Sequence, residues 1–276
     1  MRLHIQLVYC LLAVIFLNTN LAFAEEAHLT SCQALTATGN SEYPPFLWRD
    51  SPNSTELYGV NRLIIDELSR RIKIPIKLIH VGPWSRAQSE VKSGRVDLMA
   101  GAFYTNERAD YMDYFTPVLL HTTSVVWQSK DKSFPYNEKE DLEGKWGVTV
   151  INNSFGQEFD QYAQRNLNIL EVASLSQALR MLAADRVDYV LYEKSPAQAY
   201  ATMLGLDKSV ISVSPYISRE GLYLTMSKKS PCNTDNVKLK IAVALQAMKQ
   251  DGFTGQAALD GMQEWDVRTR AGLKIH

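Results

Sequence analysis

The stretch SGRVDLMAG, residues 93–101, decides how the rest of the chain is read. Residues 84–92 ahead of it carry helical spacing that stops at Ser93-Gly94, and residues 96–99 within it form an apolar run of strand length. A helix that hands over to a buried strand through a short turn is the building unit of a parallel α/β sheet. Working back from it, residues 76–81 are strand-like, and residues 60–72 are helical, with Leu63, Ile64, Leu68 and Ile72 on one face. Residues 35–38 form a short strand before the turn Gly39-Asn40-Ser41-Glu42, and two prolines hold Tyr43-Pro44-Pro45-Phe46 extended.

Forward of the stretch, residues 101–115 (GAFYTNERADYMDYF) contain a helical turn at 107–109. Strands follow at 122–128, 146–150, 188–192 and 222–226, and helices at 155–165, 174–184, 196–204 and 237–250. Residues 134–144 form a polar connection. Alternating strands and helices imply parallel sheets with crossover helices. Two such runs, joined by the extended segments 122–128 and 209–218, predict two Rossmann-like α/β lobes on a two-strand hinge. The cleft between the lobes is the expected ligand site.

Composition narrows the function. The 276 residues carry 29 basic and 30 acidic side chains, a net charge of −1, so the chain has no bulk attraction for nucleic acid or an anionic membrane. Met1-Arg2-Leu3-His4, the apolar run 7–17 and Ala22-Phe23-Ala24 read as a cleaved signal peptide over residues 1–24. The apolar run is shorter than the roughly 20 residues that span a bilayer. Export leaves Cys32 and Cys232, either bonded to each other or as two separate buried thiols. The five histidines form no metal-like pair, no Cys/His cluster suggests zinc, and Gly-x-Ser-x-Gly is absent. Neither a metal nor a cofactor is expected.

Four landmarks together resemble the periplasmic amino-acid-type solute-binding proteins of ABC importers, the family 3 extracellular solute-binding proteins. They are Tyr43-Pro44-Pro45-Phe46 after the first strand; the tryptophan-led helix that ends in Ser93-Gly94-Arg95-Val96-Asp97; Ala100-Gly101 with Thr105-Asn106-Glu107-Arg108; and Asp185-Arg186-Val187-Asp188-Tyr189-Val190-Leu191-Tyr192-Glu193. The resemblance extends from about residue 43 to 253. It implies a periplasmic-binding-protein type II fold, with residues 25–120 plus 218–276 as lobe 1 and 121–217 as lobe 2. Both chain ends then fall in lobe 1, which favours a Cys32–Cys232 disulfide.

The resemblance also assigns a site. On local sequence alone, Arg108 is either a surface partner of Glu107 or Asp110 or an anion clamp; the resemblance makes it the clamp for a ligand carboxylate, a task suited to a guanidinium. Gly101 is where backbone approaches the ligand, or a simple strand-end turn. Tyr43 and Trp84 wall the pocket, while Phe46 is as readily core. Asn153-Ser154-Phe155-Gly156 is a helix-opening turn that attracts anions, or a plain N-cap. Glu193 takes the ligand's ammonium group, and Tyr192 before it is a further ligand-binding candidate. Two positions depart from the family pattern: Glu193 stands where most relatives have Asp, and Phe103 where amino-acid binders commonly carry Thr.

The resemblance implies a non-catalytic, monomeric periplasmic protein that captures a small carboxylate-bearing solute for a membrane permease. The alternatives are a sensory binding protein, or an enzyme on the same fold similar to prephenate or arogenate dehydratases, in which a desolvated Glu193 serves as general acid.

Overall fold

Three short strands carry the first half of the molecule: β1 (Leu35–Thr38), β4 (Ile76–Leu78) and β5 (Leu98–Ala102). β1 lies parallel to both neighbours, with Ala37 beside Leu78 on one side and Leu98 on the other. The crossovers are α1 (Val60–Ile72) and α2 (Trp84–Ser93), which bury Ile64, Ile65 and Leu68, and Ala87 and Val91, respectively. The structure, a computed structural model, describes residues 32–272. The expected signal peptide lies outside them.

SGRVDLMAG folds as its composition requires. Gly94 ends α2 in the left-handed region at φ 81°, its N–H donating to the Glu90 and Val91 carbonyls, a position that favours glycine. A Cβ there would meet Lys229 at 2.8 Å. Asp97 then pins β5 to β1 by accepting the Thr36 backbone N–H at 2.7 Å and its hydroxyl at 2.8 Å.

The second half repeats the architecture with β8 (Trp146–Val150), β9 (Asn168–Val172) and β10 (Tyr189–Glu193), all joined in parallel pairs. Its helices are α4 (Gln157–Asn166), α5 (Leu175–Ala183) and α6 (Lys194–Met203). Val126, Leu142, Phe155, Phe159, Tyr189 and Leu191 form its core.

Two antiparallel strands, β7 (Leu120–Ser129) and β11 (Val210–Ser227), run between the halves. The segments read from sequence at 209–218 and 222–226 are one 18-residue strand. Its register slips between Val213 and Ser218, around the cis Ser214–Pro215 bond. Before the slip β11 pairs with β7 alone; after it, β11 also pairs with β5 and with β6 (Met112–Tyr114). On its other edge β7 pairs with β10. The result is two α/β halves joined by two strands in one nine-stranded network.

Tyr43-Pro44-Pro45-Phe46 bridges the small hairpin of β2 (Glu42–Tyr43) and β3 (Leu47–Trp48), with a cis Pro44–Pro45 bond. The chain closes with α7 (Asp235–Gln250) and α8 (Phe253–Arg270). Cys32 and Cys232 are disulfide-bonded. Among the described residues no helix is long and apolar enough to cross a membrane, and no three His, Cys, Asp or Glu side chains gather where they could hold a metal ion.

Candidate functional site

Arg108 lies on α3 (Asn106–Ala109), a single turn started by Thr105, whose hydroxyl accepts the Arg108 backbone N–H at 3.1 Å. The side chain is 5% exposed. Its guanidinium lies over the Trp84 ring, 5.4 Å from the centroid, a cation–π arrangement. Nη1 donates to the Phe103 carbonyl at 3.3 Å, and Nη2 to the Asn152 carbonyl at 2.9 Å. Among the described residues no carboxylate forms an ion pair with it. The surface-pair role with Glu107 or Asp110 does not fit this burial.

One face of Arg108 borders a chamber of about 20 Å3. The structure brings together around it seven residues named from sequence: Tyr43, Trp84, Gly101, Phe103, Arg108, Asn153 and Glu193, with Asn40 and Leu222 beside them. Three polar groups of this wall are buried together, the Tyr43 hydroxyl, Glu193 Oε2 and Asn153 Nδ2; Tyr43 and Asn153 both act on the Glu193 carboxyl, though no bond among the three has good geometry. Buried polar groups are normally satisfied, so this loosely bonded cluster leaves hydrogen-bonding capacity facing the chamber. Glu193 is 2% exposed. Burial lifts its carboxyl to about 7, against the opposing pull of its own backbone amide, Tyr43, Arg108 and Asn153. Burial likewise pushes the Tyr43 phenol well up.

Gly101 has φ 89°, and a Cβ there would sit 2.9 Å from Asn61 Nδ2. That amide donates to the Ala100 carbonyl at 3.1 Å. The glycine therefore makes room for Asn61 as well as lining the chamber. Tyr192 stands behind the chamber, its hydroxyl accepting from Asn40 Nδ2 at 3.1 Å and its ring 6.3 Å from that of Tyr43. Phe46 packs against Tyr43 at 5.2 Å.

The other face of Arg108 borders a polar cleft of about 650 Å3 between the halves. Ser154 and Phe155 line it, although the Phe155 ring also packs edge-on against Phe159, 5.8 Å away, in the second core. Gly156 lines neither space; a Cβ there would meet Glu220 Oε1 at 2.3 Å. The donors of this turn are already engaged: the Ser154 hydroxyl and the Phe155 N–H both donate to Asp160. Burial raises the Asp160 carboxyl, opposed by those two donors and by Arg108.

Sequence reading did not name Gln88, Asn152 or Asp160. Gln88 Nε2 and Trp84 Nε1 each donate to the Asn152 carbonyl at 3.1 Å, joining Arg108 there. Gln88 had a legible signal, since it follows Trp84 by four residues and so shares its helix face. Asn152 acts through its backbone, at φ 61°, and no side-chain motif announces that.

Comparison with known proteins matches residues 35–258 to the family described as "Bacterial extracellular solute-binding proteins, family 3". Among solved structures, a histidine kinase sensor domain with similarity to periplasmic binding proteins aligns at TM-score 0.71 and 19% identity, over 83% of this chain and 96% of that one. A mutant of ArgBP from T. maritima aligns at TM-score 0.69 and 18% identity, over 87% and 98%. The amino acid ABC transporter substrate-binding protein AbpA from Streptococcus pneumoniae, bound to L-arginine, aligns at TM-score 0.69 and 16% identity, over 86% and 98%. At these identities the likeness is one of fold, and the fold is the periplasmic-binding-protein type. No curated protein matches the chain.

Proposed function

The chain belongs to the bacterial extracellular solute-binding proteins, family 3, and from that premise we propose that it captures a small carboxylate-bearing solute, an amino acid or close relative, for the permease of an ABC importer. The observation that carries this reading is Arg108: a guanidinium 5% exposed, flanked by carbonyls and an indole face and ion-paired with no carboxylate among the described residues. A buried, unpaired cation is costly, and an anionic guest removes that cost. Glu193, Tyr43 and Asn153 supply polar atoms for the guest's other groups. In this reading the jaws are residues 25–120 with 218–276, and 121–217. They work in the periplasm as a monomer and close about the strands that join them. Proteins of the same fold hold arginine and glutamine, solutes that carry an α-carboxylate beside an α-ammonium group.

Titration calorimetry with the twenty amino acids tests it. Binding of at least one, weakened about a hundredfold or more in Arg108→Ala with the fold intact by circular dichroism, is the expected result. Binding unchanged by Arg108→Ala, or no binding by any amino acid, defeats it. Loss of solute uptake on deleting the chain tests the permease as partner; retained uptake with loss of a transcriptional response would point to sensing instead.

The Glu193 carboxyl, raised to about 7 by burial, favours a second reading in which it donates a proton to a leaving hydroxyl. Phenylpyruvate formed from prephenate by the wild-type chain and lost in Glu193→Gln would establish it.

A further inference from the structure

The Asn152 carbonyl has an unusual set of partners. Arg108 Nη2 donates to it at 2.9 Å, Trp84 Nε1 at 3.1 Å and Gln88 Nε2 at 3.1 Å. A carbonyl oxygen offers two lone pairs, so three donors, one of them charged, exceed what a peptide oxygen uses well. They suit an oxygen carrying negative charge, for which such bonds are shorter and roughly twice as strong. All three donors belong to the first half, two from α2 and one from α3, whereas Asn152 is in the turn between β8 and α4 of the second half. Trp84, Gln88 and Arg108 are 6%, 7% and 5% exposed. Their donors are therefore screened from water and arranged before any guest arrives, which makes them selective.

We infer that Trp84 Nε1, Gln88 Nε2 and Arg108 Nη2 form one three-donor seat for a carboxylate oxygen of the solute, and that the Asn152 carbonyl occupies this seat in competition with the solute. The inference rests on the reading of Arg108 as the carboxylate clamp and adds to it two neutral donors. Trp84 becomes a hydrogen-bond donor as well as an aromatic wall. Gln88 becomes a specificity residue, which separates an anionic oxygen from the neutral oxygen of an amide. The competition follows from the same geometry: the solute takes over an oxygen position that the second half already fills, so closure with and without solute uses the same donors.

Because losing a donor also loosens the hold on Asn152, absolute affinity mixes two effects. The ratio of affinities for an amino acid and for its α-carboxamide does not, since the cost of displacing Asn152 is common to both. The experiment is calorimetric titration of the best-binding of the twenty amino acids and of its carboxamide, into wild type, Gln88→Leu, Gln88→Glu and Trp84→Phe, each checked for fold by circular dichroism. The acid-to-amide ratio should fall about fivefold or more in Gln88→Leu and Trp84→Phe. In Gln88→Glu, of nearly the same shape but with like charge, the preference for the acid should vanish. Ratios within about twofold of wild type in both Gln88 variants overturn the inference while leaving the Arg108 reading intact. Absence of binding by every amino acid to the wild type removes the Arg108 reading, and the seat with it.

Discussion

Oδ1 of Asp160 accepts the backbone N–H of Phe155 at 2.8 Å, so the turn that opens α4 holds a carboxylate from its own helix. Arg108 stabilises the ionised form of that carboxylate, which means Asp160 and a bound anion draw on the same positive charge. Asp160→Asn keeps an oxygen for Phe155 and removes the charge. Affinity for the carboxylate solute should rise about three- to tenfold, and more at low ionic strength. Titration calorimetry at two salt concentrations checks this; weaker binding in the variant would contradict it.

Glu193 couples the stability of the fold to pH. Glu193 moves from an ordinary 4.5 to about 7 on folding because burial disfavours its charge. A carboxyl with a raised folded pKa binds more protons folded than unfolded between those values, so its stability contribution is full below about pH 4.5 and is lost as pH rises toward 7. The loss is on the order of 3 kcal/mol. Glu193→Gln should therefore unfold with a flatter pH dependence, with its largest gain over wild type above pH 7. Urea unfolding at several pH values decides it, and parallel curves for the two proteins count against it.

Gly156 yields a stability test. Its φ is 94°, and a Cβ would come within 2.3 Å of Glu220 Oε1 and 2.7 Å of its Cδ. Gly156→Ala should cost about 1–3 kcal/mol. Adding Glu220→Ala removes the collision but not the backbone strain, so it should restore only part of the loss. Full recovery in the double variant would mean that backbone conformation contributes nothing.

The disulfide is testable by mass. Cys32 and Cys232 are both oxidised, so the mature protein should resist alkylation until reduced. Replacing both with serine should lower the unfolding free energy by about 2–5 kcal/mol. Alkylation of both thiols without a reductant would refute the bond.

The α/β alternation was legible because the central helices have one strongly buried face. Residues 60–72, for example, place Ile64, Ile65 and Leu68 inward, and the read and observed bounds coincide. Helix α8 was not foreseen. Only Ala257, Gly261 and Trp265 of its 18 residues are buried, while Leu259, Met262 and Val267 face outward, which erases the apolar period. Gly261 looks like a breaker but is a packing residue, since a Cβ there would lie 2.5 Å from a methyl group of Val60. Strand β11 splits into two segments in the sequence because Arg219, Glu220 and Gly221 interrupt the apolar pattern, whereas pairing with β7 runs unbroken from Ser218 to Leu222 and the irregularity falls earlier, between Val213 and Ser218. In the site, charged and aromatic side chains announced themselves. The backbone oxygen of Asn152 and the inward reach of Asp160 depend on how the second half folds against the first, which side-chain identity does not encode.

The chamber beside Arg108 measures about 20 Å3, room for a single water molecule. No amino acid passes into such a space while it stays shut, so entry has to wait for an opening motion. At high solute concentration the observed rate of capture should then stop rising and settle at the rate of that motion, and the time spent shut should weaken the measured dissociation constant in proportion.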